Sequence, residues 1–247
     1  MKLALIADVH SNLEALSACL DHAEGHGIER WVFLGDLVGY GADPEAVLDI
    51  VMAYAATGSV VILGNHDAAA VGLGSERMNE TAERAIEWTR GRLTTAHKEF
   101  LASLPLAERV EDALFVHASA VAPERWIYVT DPLRAAHSME AARATYVFCG
   151  HVHEPALYYQ GADTRPQRFR PTAGVAIPVA RHRRWLTVVG SCGQPRDGNP
   201  ASCYAVFDTE RAELTYFRIA YDHFVTARKI RDAGLPEKLG QRIERGR

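Results

Sequence analysis

The chain has 247 residues, 48% apolar and 23% charged, with a net charge of −4 and a pI near 6.3. A chain of this size and composition can bury a core without disulfides or a structural metal. The slightly acidic balance argues against sequence-wide attraction to nucleic acid or anionic lipid, and no stretch approaches the ~18 apolar residues of a membrane span.

Residues 2–7 form a short apolar run that predicts a buried strand. Ser11, with Glu14 three residues on, has capping-box spacing and predicts a helix to about residue 24. Leu13, Leu16 and Leu20 fall on one face, and Gly25 or Gly27 ends it. Residues 30–34 read as a second strand. Asp43 before Pro44 opens a helix to about residue 55. A third strand follows at 60–63. This rhythm implies parallel βαβ units, in which ligands sit beyond the C-terminal ends of the strands.

Two helices are expected over 79–104. A hairpin over 106–110 and 113–116 turns at Glu111 and Asp112. Asp131 and Pro132 open another helix, and 146–149 is a strand. Short strands are expected near 186–189, 203–208 and 213–219, then a helix near 222–232. From Gly234 the chain is polar and reads as a frayed tail, which leaves 1–233 as a single domain. The four cysteines match neither a zinc motif nor a disulfide framework, so free thiols in a reducing compartment are expected. The N-terminus lacks a secretory h-region, and the expected location is the cytoplasm.

The chemistry gathers at the strand ends. Asp8 and His10 follow the first strand, Asp36 the second and Asn65 the third. His117 follows the strand at 113–116, and His151 and His153 follow the one at 146–149. These seven residues supply only oxygen and imidazole donors, so they do not make a thiolate zinc knuckle. They suit two divalent ions sharing a carboxylate, the arrangement that clamps attacking and leaving oxygens in phosphoryl displacement with ions ~3.5–4 Å apart. Asp-x-His and His-x-His also place both side chains on one face of an extended segment.

The blocks DVH (8–10), GDLVGYG (35–41), GNHD (64–67), VHAS (116–119) and GHVH (150–153) resemble the calcineurin-like metallophosphoesterase superfamily. Residues 190–198, GSCGQPRDG, resemble a segment of its compact bacterial and archaeal phosphodiesterase branch. The resemblance implies an α/β fold, a four-layer αββα sandwich of two mixed β-sheets flanked by helices. It implies that Asp8, His10 and His153 hold one ion and Asn65, His117 and His151 the other, with Asp36 bridging. It makes His66 the acid to the leaving oxygen, or a donor to the phosphoryl group, with Asp67 hydrogen-bonded to the far ring nitrogen. The implied activity is metal-dependent hydrolysis of a small or nucleotide-like phosphodiester. The implied cofactors are two divalent ions, with Mn favoured in assay and Fe, Ni, Co or Zn also fitting the donors.

Two alternatives accompany that reading. A phosphomonoesterase or phosphoprotein phosphatase would use the same metals, but that branch carries GDxxDRG and GNHE, and its phosphate-binding Arg is missing here. A non-catalytic binding module would have lost ligands or His66, and none is lost. Arg196 is a candidate phosphate-binding guanidinium, or else half of a loop ion pair with Asp197. Residues 165–184 carry six arginines and read either as a lip that greets an anion or as a solvated loop or homo-oligomer contact. Tyr158, Tyr159 and Trp185 beside them read as packing residues before base-stacking ones. The expected partner is a small phosphorylated substrate, with no membrane and no strong nucleic-acid footprint.

Overall fold

The computed structural model describes residues 1–74, 78–162 and 164–247. Strand β1 (Lys2–Ile6) runs parallel to β2 (Arg30–Phe33), and β2 parallel to β3 (Val60–Val61). Helices α1 (Leu13–Glu24) and α2 (Pro44–Ala56) form the crossovers. Three helices follow: α3 (Asn65–Ala70), α4 (Glu80–Arg92) and α5 (Thr95–Ser103).

The hairpin β4 (Ala107–Val110) and β5 (Ala113–Val116) starts a second sheet. Helix α6 (Pro132–Ala142) returns the chain to β6 (Tyr146–Cys149), parallel to β5. Then come β7 (Ala156–Gln160), β8 (Gln167–Phe169), β9 (Ala176–Pro178), β10 (Arg184–Val188), β11 (Ser202–Asp208) and β12 (Glu213–Ile219). Helices α7 (His223–Asp232) and α8 (Glu237–Arg245) close the described chain. One six-stranded mixed sheet has the order β3-β2-β1-β11-β12-β9, and the other β4-β5-β6-β10-β7-β8.

Alternation along the strands builds the layers. Leu3 and Leu5 of β1 meet Val32, Phe115, Phe148 and Phe207 between the sheets. Ala4 and Ile6 face the other way, onto Leu16, Leu20, Val47 and Leu48 of α1 and α2. On the second sheet Val147, Cys149 and Leu186 lie under Ala135 and Met139 of α6. Strands covered on both faces are apolar over most of their length, which is why they read as nearly continuous runs. The result is the four-layer αββα sandwich.

Several local expectations are corrected. Asn12, not Ser11, caps α1, its Oδ1 accepting from the Ala15 amide at 3.1 Å. Ser11 is still in a left-handed loop (φ 53°), so the helix begins later. Asp43 makes no capping bond and instead accepts from Lys229 Nζ at 2.9 Å. The stretch from Gly234 is not a frayed tail. Leu239 and Ile243, one helical turn apart, are buried with Tyr40, Ala85 and Ile230, and Arg231 bonds Glu237 and Glu244. Two apolar residues on one face suffice where a partner helix is waiting. No helix among the described residues is long and apolar enough to cross a membrane.

Candidate metal centre

Because β1, β2 and β3 are parallel, and β5 and β6 likewise, their C-terminal ends open onto one edge of the sandwich. Backbone bonds tie the loops there together. The amides of Asp8 and His10 donate to the carbonyls of Gly35 and Asp36 at 3.0 and 2.9 Å. Those of Cys192 and Gly193 donate to Ala7 and Asp8 at 2.8 and 2.9 Å. Asp8, His10, Asp36, His151 and His153 all hold positive φ, between 49° and 67°. Left-handed backbone at Asp and His costs of order 1–3 kcal/mol each and persists only where surrounding structure enforces it.

The seven ligand candidates converge, and all lie at or below 9% exposure. One cluster holds Asp8, His10, Asp36 and His153, the other Asp36, His117 and His151, with the donor atoms of each within 4.8 Å of one another. Asn65 Oδ1 lies 3.2 Å from His117 Nε2 and so joins the second. Asp36 belongs to both, its Oδ2 3.6 Å from His10 Nε2 and 3.4 Å from His117 Nε2.

The donor chemistry fits cations. Nδ1 of His10, His153 and His117 faces the carbonyls of Val38, Gln194 and Leu34 at 3.1, 2.6 and 2.7 Å. A carbonyl only accepts, so each Nδ1 carries a proton, and the neutral rings of His10 and His153 turn an Nε2 lone pair inward. His10 Nε2 and His153 Nε2 then face one another at 3.1 Å, two lone pairs with no proton between them. His117 Nε2 and His151 Nδ1 also stand 3.1 Å apart. The facing lone pairs of His10 and His153 repel one another unless a cation sits among the donors. The carbonyl bonds are the orienting contacts that metal-binding imidazoles need.

Electrostatics agrees. Burial pushes His10 and His153 well below the ordinary histidine range, and His151 down to about 3, so these rings are neutral donors. Burial raises Asp8 to about 7, with His117 pulling the other way and Asp36 adding to the rise. Burial also disfavours charge on Asp36, but His117, His66 and His10 outweigh it and hold that carboxyl well below its usual range. Burial opposes a proton on His117 as well, yet Asp36 and Asp8 raise it to about 9. Two carboxylates here demand positive charge.

His66 and Asp67 lie at the start of α3, but not as a hydrogen-bonded pair. Asp67 is the third helical residue, and its Oδ2 accepts from the capping Gly64 amide at 3.0 Å while Oδ1 accepts from the Val38 amide at 3.1 Å. Both oxygens serve backbone, which is why the expected bond to His66 is not formed. His66 Nδ1 is buried without a partner among the described residues. It abuts Gly39, where φ is +87° and a Cβ would stand 2.5 Å from that nitrogen. The His66 ring packs against Tyr40 at 4.3 Å and edge-on to His10 at 4.8 Å. Its amide donates to Asp36 Oδ1 at 2.8 Å, so the helix start and the shared carboxylate are fixed together.

Asp67 is thus a cap and a strut. Asp67→Ala leaves two buried amides without acceptors, each costing about 1–3 kcal/mol. The thermal midpoint should fall by about 2–4 °C for every kcal/mol lost, measured by calorimetry. An unchanged midpoint with abolished turnover would restore Asp67 to a chemical role.

Arg196 is not paired with Asp197, which bonds Arg218 instead. Its guanidinium bonds Gln194 Oε1 at 2.8 Å and lies 5.8 Å over the Tyr40 ring, while its amide donates to the His153 carbonyl at 3.2 Å. Tyr158 is buried under Arg168, and Tyr159 packs on Trp185 and Arg183, so these rings are structural. Two aromatic neighbours of the site escaped the sequence reading. Tyr40 stands among His10, His66 and Arg196. Tyr128, 47% exposed, stacks on His151 at 3.9 Å. Tyr40 lay inside a motif that had been quoted. Tyr128 lies in a loop whose sequence carries no signal for it.

Comparison with known proteins agrees with this geometry. The calcineurin-like phosphoesterase superfamily domain matches residues 1–212. The uncharacterized protein MJ0912 of Methanocaldococcus jannaschii is 32% identical, the match covering 99% of this chain and 98% of that protein. The crystal structure of a metallophosphoesterase from Sphaerobacter thermophilus is similar at a TM-score of 0.88 and 33% identity, covering 100% of this chain and 99% of that one. The hypothetical protein PH1004 from Pyrococcus horikoshii OT3 shares the fold at a TM-score of 0.79 and 18% identity, over 100% of this chain and 98% of that one.

Proposed function

The chain belongs to the calcineurin-like phosphoesterase superfamily, and on that premise we propose that it hydrolyses small, nucleotide-like phosphodiesters at the centre built around Asp36. The family implies divalent metal ions, and the buried oxygen and imidazole donors fit them. Asp8, His10 and His153 would hold one ion, Asn65, His117 and His151 the other, and Asp36 both. Bound there, such ions supply a water acidic enough to ionise near neutral pH and polarise the phosphoryl oxygens.

The chain's own groups do the rest. Asp36 couples the two clusters, and Asn65 contributes a neutral oxygen, which limits the negative charge a phosphate must approach. His66 lies beside Asp36 and donates to a phosphoryl or leaving-group oxygen. Arg196 lies next to His153 and Tyr40 and neutralises one phosphate charge. The buried ligands keep bulk water from competing.

The observation that carries the diester preference is Tyr40. It stands where the phosphoprotein phosphatase motif would place an arginine, and a phenol packs there against His66. A site with one fewer fixed cation suits a singly charged diester better than a monoester dianion. A phosphomonoesterase is the second reading, because Arg196 supplies some of the missing charge. We further place the protein in the cytoplasm, supported by four buried free thiols, and take Mn²⁺ as the assay metal.

The test compares initial rates on an aryl phosphodiester and its monoester, with Mn²⁺-loaded protein and a chelated control. Metal-dependent turnover favouring the diester is expected. Preference for the monoester would hand the site to the second reading.

A further inference from the structure

Beside the metal centre lies a cavity of ≈ 690 Å³ whose wall carries Arg168, Arg170, Arg196 and Arg247, together with Glu154 and Asp197. Glu154 directly follows His153, and the Arg196 amide bonds the His153 carbonyl, so the cavity begins one residue beyond the ligand set. Arg196 is common to both, facing Tyr40 on the metal side and lining the cavity on the other. Its charge reaches Asp8, His10, His66 and His153.

The charge balance in the cavity is one-sided. Asp197 is engaged by Arg218. Among the described residues no carboxylate lies within ion-pair distance of Arg168, Arg170, Arg196 or Arg247. Glu154 is the remaining acidic side chain of the wall, and it is exposed. Arg168 and Arg170 sit two apart, on and just past the short edge strand β8. That spacing brings side chains to the same face of an extended segment. Arg168 lies 5.9 Å over the buried Tyr158 ring, which anchors its stem. Four guanidiniums around a concave space, with one acidic side chain unengaged, match the planar, bidentate recognition of phosphate oxygens.

We infer that this cavity is a second phosphate subsite, and that the substrate is a phosphodiester bearing a further phosphate group, held by Arg168, Arg170 and Arg247 while the scissile phosphate lies at the metal centre. Arg196 stands between the two phosphates. The inference rests on the phosphodiesterase reading above but is tested apart from it. It also gives Arg168 and Arg170 of the Arg-rich stretch a function, where the sequence alone left an anion lip beside a solvated loop or homo-oligomer contact.

The experiment is calorimetric titration of the metal-loaded full chain with thymidine 3′,5′-bisphosphate and with thymidine 5′-phosphate. The bisphosphate should bind about tenfold more tightly, which is ~1.4 kcal/mol. In R168S/R170S that advantage should vanish, and in R168K/R170K part of it should remain. Equal affinity for the two ligands in the unaltered protein overturns the subsite, and so does an advantage that survives in R168S/R170S. Turnover of a plain aryl diester is followed separately. Its absence would count against the phosphodiesterase reading and leave the binding comparison valid.

Discussion

Asp36→Asn should empty both metal clusters together and lower turnover by on the order of 10³-fold or more. The magnitude follows from the scale of losses on removing one electrostatic stabiliser from an enclosed site, about 10²–10³-fold, with two clusters affected at once. The amide keeps the side-chain volume, so packing survives. It still accepts from the His66 amide, the 2.8 Å bond made by Oδ1. What changes is the Oδ2 side, which faces His10 and His117 at 3.6 and 3.4 Å. There a charged oxygen is replaced by a neutral group, and the lone pairs of both clusters lose their common counter-charge. Metal content by elemental analysis, read with activity and the thermal midpoint, checks this. Two ions still tightly bound in the variant would disprove the shared role of Asp36.

His66→Ala should do the reverse, leaving metal content intact while turnover drops ~10²–10⁴-fold, the range for a positioned proton donor. The ring is not needed for ligation, because it belongs to neither donor cluster. Nor does it stabilise a neighbour by hydrogen bonding, since Nδ1 has no partner among the described residues. Burial lowers its pKa to about 4, so the free protein holds it neutral, with an N–H to donate but no net charge. Removing it leaves Tyr40 and His10 around a small void. The two roles separate in one pair of measurements: metal content and kcat. An unchanged kcat reduces His66 to packing, whereas loss of metal makes it a ligand.

The sequence disclosed the site better than its surroundings, for physical reasons. The C-terminal halves of the buried parallel strands are apolar, so each ends visibly where Asp8, Asp36, Asn65, His117 or His151 appears. The edges were harder. β8 and β9 have three residues each and are largely exposed, so neither alternation nor an apolar run marks them. Helix α8 showed only Leu239 and Ile243 against a polar background, and its burial depends on α4 and α7, which no local pattern reports. Asp67 was misplaced because the family resemblance implied a partnership with His66. Its position three residues after Gly64 was in fact a helix-capping spacing. Of the cavity arginines, Arg168 and Arg170 were visible in a run, but Arg196 and Arg247 join them from farther along the chain, and only the fold brings them there.

The left-handed backbone at Asp8, His10, Asp36, His151 and His153 bears on how such a chain changes over time. For backbone conformation alone glycine is the favoured residue at these positions, since it enters the left-handed region without steric cost. Aspartate and histidine stand there against that backbone preference, at positions we propose as metal ligands. A descendant relieved of its chemistry would be free to drift toward glycine or asparagine where the side chain makes no other bond, relieving the backbone there. The backbone angles therefore mark where activity and stability pull the same residue in opposite directions, and where decay of the enzyme would first be recorded.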